Sequence, residues 1–100
     1  SSNAAYYAIK SREEAIAFFN HEYLGKNLKQ ITQAFLDIEG KSAHQILGTP
    51  DDLKMKSCMS LFHLIQNETD LFKEVLDKYY DGKISYRTKE LIDKEIKIIE

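Results

Sequence analysis

One hundred residues and 11.6 kDa can bury only one small hydrophobic core, so the chain is read as a single domain with room for one site. Its 43% hydrophobic and 30% charged residues have the balance of a globular domain, and no apolar run approaches the ~18 residues of a membrane-spanning helix. A formal net charge of −2 provides no global positive field for nucleic acid or anionic lipid, and the lone Cys58 rules out an internal disulfide or a cysteine-rich zinc site, so the expected compartment is the cytoplasm.

Ser2-Asn3-Ala4 reads as the scar of a cleaved purification tag, so residues 1–4 are set aside and a single helical domain is expected over 5–100. No methionine follows the scar, which gives the expectation that the chain starts inside a longer protein. Tyr6 to Ile9 is the one segment that reads as extended. Ser11-Arg12-Glu13-Glu14 then forms a capping box, in which the serine hydroxyl serves a backbone N–H one turn in, and a helix is expected from there to about Asn20. Ala15, Ile16 and Phe19 give it a buried face, flanked by Phe18.

From about Glu22 to Ile38 the helical spacing repeats through Leu24, Leu28, Ile31, Phe35 and Ile38, with Lys26, Lys29, Gln30 and Gln33 outward and Gly40 as the stop. Ser42 caps a short turn carrying Ile46 and Leu47, stopped by Gly48. Thr49-Pro50-Asp51-Asp52 combines an N-cap hydroxyl, proline at the first helical position and two carboxylates on the positive end of the dipole. The helix it opens carries Leu53, Cys58, Leu61, Phe62 and Ile65, with Met55, Met59 and Leu64 to the sides. That apolar arc is wide enough to be packed on more than one face, which makes this helix the expected centre.

Thr69 caps the next helix, through Leu71, Phe72, Val75, Leu76, Tyr79 and Tyr80, closed by Asp81-Gly82. Ser85 opens the last, striped by Leu91, Ile92, Ile96 and Ile99, with Glu90/Lys94 and Asp93/Lys97 at the favourable i,i+4 spacing. The one proline and four glycines sit at helix boundaries, and nothing alternates with period two for long. The expected fold is therefore all-α, a compact bundle of about five helices around a central helix.

The chemistry-bearing residues read mostly as structural. His21, His44 and His63 form no i,i+4 pair with one another or with cysteine, so no metal site is expected; His21 is placed before the second helix and His63 at the edge of the central one. Cys58 and His63 are five residues apart, about 140° around a helix, which separates thiol from imidazole and leaves Cys58 as a small core residue. No nucleophile elbow, phosphate-cradling loop or dinucleotide fingerprint occurs, so no catalytic residue and no cofactor is assigned. Ser57 and Ser60, three residues apart on the central helix beside Lys56, could line a small polar pocket or simply bond back to the preceding turn. The Asp81–Ser85 turn between two helices, followed by Tyr86, Arg87 and Lys89, has the spacing of a helix-turn-helix, but the acidic balance of the chain argues against nucleic acid.

Taken together, Leu24-Gly25, Pro50-Asp51-Asp52-Leu53-Lys54, Ser57-Cys58-Met59-Ser60-Leu61-Phe62, and Leu76-Asp77-Lys78-Tyr79-Tyr80-Asp81-Gly82-Lys83 with Arg87-Thr88 resemble a bacterial family, the domain-of-unknown-function family numbered 1810. Its members often carry the name calpastatin, although nothing in this chain resembles a calpain-inhibitory repeat. The resemblance runs from about Tyr6 to Ile92 and implies a small, mainly helical cytoplasmic protein with no established activity, substrate or cofactor. Members of that family begin with a tryptophan-rich segment, and this chain contains no tryptophan, which agrees with an internal start.

By analogy, the polar residues of the matched strings, Lys56, Ser57, Ser60, Tyr79 and Arg87, are the candidate ligand-binding set. An uncovered apolar surface would also favour self-association at about 25 cal/mol per Å², so a homo-oligomer is expected. The leading functional expectation is a binding or interaction module for a protein or small-molecule partner that the sequence does not identify. The alternatives are part of an enzyme completed by the aromatic N-terminal segment, and weak nucleic-acid binding through the last helix.

Overall fold

Capping chemistry sets the helix boundaries through the first half of the chain. The Ser11 hydroxyl accepts from the Glu14 N–H at 3.1 Å and opens α1 (Arg12–Asn20). His21 then caps α2 (Leu24–Asp37), its Nδ1 accepting from the N–H groups of Tyr23 and Leu24, both at 3.2 Å. Between them the chain turns so tightly that a Cβ on Gly25 would collide with the carbonyl oxygen of Phe19, so glycine is required there for close approach. Ser42 and Gln45 form a reciprocal capping box for the short α3 (Ala43–Leu47), and Gly48 ends it at φ 73°.

α4 (Asp51–Leu64), α5 (Leu71–Tyr79) and α6 (Tyr86–Ile99) complete the order, and no strand occurs among the described residues. The computed structural model describes Ile9 and residues 11–99, the side chains of 95–99 excepted. The tag remnant, Tyr6–Ala8 of the extended segment, and the Ile96, Lys97 and Ile99 side chains of the last stripe lie outside the described residues.

The expected bundle is present, with α4 at its centre. It packs on α1, α3, α5 and α6, while α2 packs on α1 and α5. The wide apolar arc of α4 is used as expected: Met55, Cys58, Met59, Leu61 and Phe62 are all buried. Phe62 and Phe72 are wholly buried with ring centroids 5.5 Å apart, and Phe18 and Phe19 extend that aromatic cluster at 5.9 and 6.1 Å. Two buried hydroxyls, Thr32 and Ser60, bond back to the carbonyls of Leu28 and Lys56, each at 2.7 Å.

Four boundary or packing expectations need correction. Thr49 does not cap α4, because its hydroxyl lies 3.1 Å from His44 Nδ1; Pro50 takes the N-cap position instead. Leu53 is 60% exposed rather than core, since among the described residues no helix covers that side of the first turn of α4. Asp70 occupies the N-cap of α5, while the Thr69 hydroxyl accepts from Leu71 N–H at 3.2 Å, and Gln66 closes the α4–α5 corner by accepting from Glu68 and Thr69 N–H. Glu90 and Lys94 form no ion pair among the described residues, whereas Lys73 and Asp77 do, at 3.1 Å. No helix among the described residues is long and apolar enough to cross a membrane.

Candidate functional site

The N-terminus of α6 lies against the middle of α4, and the hydroxyl residues expected to form a pocket join the two helices. Ser60 Oγ accepts from the Ser85 N–H at 2.8 Å while donating to the Lys56 carbonyl, so both of its capacities are used and it is fully buried. Ser57 and Ser85 hydroxyls stand 3.3 Å apart, and Thr88 Oγ1 donates to the Ser57 carbonyl at 3.3 Å. Ser85 therefore spends its side chain on α4 rather than on capping α6. This seam brings the two backbones close because every residue in it is small. No His, Asp or Glu side chain bonds either serine hydroxyl among the described residues, so neither has a base beside it.

Alongside the seam, α4 and α6 line an open groove of about 890 Å³. One wall is a continuous face of α4: Pro50, Leu53, Lys54, Ser57, Cys58 and Leu61, at spacings of three and four. The other is Arg87, Thr88, Glu90, Leu91 and Lys94 of α6, with Ile9 at the border. The lining combines apolar side chains with the charged Lys54, Arg87, Glu90 and Lys94. Burial pushes the Cys58 thiol well above its ordinary pKa, so it stays neutral there. Leu53 and Leu91 are 60% and 36% exposed, the large aliphatic side chains of α4 and α6 most open to water among the described residues.

The five candidate residues separate. Ser57 and Arg87 line the groove together. Ser60 sits beneath it in the seam. Lys56 contributes its carbonyl to Ser60, and its half-buried side chain is not part of the groove lining. Tyr79 is elsewhere: its hydroxyl lies 2.6 and 2.8 Å from the carbonyl oxygens of Phe35 and Ile38, and its ring is 4.4 Å from that of Phe35. With Lys78, which donates to the Leu36 and Ile38 carbonyls and to Glu39 Oε1 at 2.9 Å, it satisfies the open C-terminal carbonyls of α2. Tyr79 is a cap supplied across the bundle and is not among the residues lining the groove.

Leu53, Lys54, Leu91 and Lys94 were missed as groove residues. Their i,i+3/i+4 spacing was visible, but only the docking of α6 on α4 makes their faces adjoin. His44 was also missed as a tether. Its Nδ1 lies 3.1 Å from Thr49 Oγ1 and 3.4 Å from Asp52 Oδ2, tying α3 to the start of α4. Both partners compete for one ring nitrogen, whereas a hydroxyl–imidazole–carboxylate relay needs them on opposite nitrogens, so the trio is not arranged for catalysis. Tyr80 adds a second tie, donating to the Asp52 carbonyl at 2.7 Å. Burial, and then the Asp52 charge, push its phenol above the ordinary value.

Comparison with known proteins adds a family and a fold relative. A family profile described as "Protein of unknown function (DUF1810)" matches residues 1–92. The crystal structure of a conserved hypothetical protein from Mycobacterium tuberculosis superposes with a TM-score of 0.83 at 39% identity, covering 85% of this chain. The chain spans 61% of that protein's length. No curated protein matches.

Proposed function

Because the chain belongs to the DUF1810 family of proteins of unknown function, we propose a role from the site alone: a small helical binding module whose recognition surface is the α4–α6 groove. The observation that carries this reading is the juxtaposition of exposed Leu53 and Leu91 with Lys54, Arg87 and Lys94 around a volume of about 890 Å³. Buried apolar side chains stabilise the fold, but exposed ones gathered in a concave charged rim are available to a partner. The serine hydroxyls below are engaged in joining two helices, which favours binding over group transfer. We place the module in the cytoplasm, consistent with its reduced, buried Cys58.

A neutral solvatochromic dye tests this. Nile red should brighten and shift to the blue with the wild-type chain, and Leu53→Lys should abolish that response. Since Leu53 is largely exposed, the variant should keep its unfolding free energy within the effect of an ordinary surface change, about 0.5 kcal/mol. An unchanged dye response in a folded Leu53→Lys protein would place the apolar surface elsewhere. Self-association through the same face would appear as a dye response that falls as chain concentration rises.

A further inference from the structure

We propose that the α4–α6 groove takes a small amphipathic anion, a carboxylate carried on an apolar acyl or aromatic body. The inference rests on the groove being the binding surface and adds the chemistry of its ligand. Across the whole chain acids outnumber bases, sixteen to fourteen, yet the groove lining inverts that balance, with Lys54, Arg87 and Lys94 against Glu90 alone. Lys54 is shared with Asp51 at 3.9 Å, which leaves Arg87 and Lys94 as the main cations of the groove. Neither forms a hydrogen bond or ion pair among the described residues.

Geometry favours one ligand shape. Arg87 and Lys94 are seven residues apart on α6, two turns or about 10 Å, with Leu91 between them on the same face. Opposite lies the apolar face of α4, where Leu53 and Leu61 flank a neutral Cys58. A headgroup carboxylate can reach one cation while an apolar body lies along Leu91 and Leu53. The Thr88 hydroxyl is turned to the Ser57 carbonyl, and the Ser57 hydroxyl to Ser85, so the cations provide the polar recognition. The volume, about 890 Å³, is at the scale of small-molecule sites, ~300–1,000 Å³. It is small for a folded partner.

Displacement of Nile red by decanoate and by decanol, both below their aggregation limits, separates charge from apolar contact. Decanoate should displace the dye at about tenfold lower concentration than decanol, the scale of one or two charge-assisted hydrogen bonds. The advantage should vanish in the Arg87→Gln/Lys94→Gln double variant and persist in Lys26→Gln, a control on α2. Decanol's own midpoint should be unchanged by either variant. Equal displacement by the two probes in the wild type would overturn the anion proposal while leaving the groove as an apolar binding surface. No Nile red response at all would instead remove the groove reading on which it rests. A dye response lost as the sedimenting mass doubles would assign the groove to a second copy of the chain, and would likewise overturn the proposal.

Discussion

Removing one oxygen from Tyr79 should be felt at the far end of another helix. Tyr79→Phe leaves the Phe35 and Ile38 carbonyls without that donor, and a loss of roughly 1–2 kcal/mol is expected, about 5–10 °C in melting temperature for a domain of this size. Nile red binding should not change, whereas a ligand-site role would move binding without moving the melt. Gly25→Ala is the harsher test, because the new methyl meets the Phe19 carbonyl and backbone cannot yield as a flexible side chain can. We expect a loss above about 2 kcal/mol in urea unfolding, an effect reserved for a specific steric conflict.

Titration at Cys58 and Tyr80 runs in one direction. Both groups have folded-state pKa values raised above their unfolded ones, so their neutral forms stabilise the fold fully below the unfolded values, ~8.5 and ~10. That stability is lost as pH rises through and beyond those values. Urea midpoints should therefore hold from pH 7 to 8 and fall between pH 9 and 11. The fall should be shallower in Tyr80→Phe, even though that variant starts less stable for want of the bond to Asp52. A flat alkaline profile would contradict the assignment.

At the scale of elements, α6 relies on its docking against α4. It packs principally on α4, and the seam of Ser57, Ser60, Ser85 and Thr88 holds its first turns. Ser60→Ala removes the acceptor for the buried Ser85 N–H. Native-state hydrogen exchange should then show α6 amides opening more readily, with α4 and α5 protection changed less. Uniform loss across all helices would mean the seam belongs to the global core instead.

Elements were also what the sequence expressed best. Ser11, Ser42, Gly48 and the apolar spacings located their helices because those signals act within one turn. Thr49 failed as a cap because His44, five residues earlier, competes for its hydroxyl. Leu53 failed as a core residue because periodicity shows which face is apolar and not which neighbour covers it.

For the whole molecule, what decides the site is how helices distant in sequence meet. The α4 wall could be drawn from spacing alone, but the α6 wall begins 37 residues after Pro50 and adjoins it where the hydroxyl seam docks the two helices. Tyr79 meets Phe35, about as far away in sequence, at the end of α2 and so lies apart from the groove. Of the five candidates, Ser57 and Arg87 line the groove because they lie on the facing stretches of the two helices.

Amide-shift mapping with decanol, a neutral apolar probe, is the most direct test of the groove as the binding surface. Perturbations should cluster on residues 53–61 of α4 and 87–94 of α6, with α2 and α5 unmoved. Shifts concentrated on α2 and α5, or spread evenly over the bundle, would contradict it.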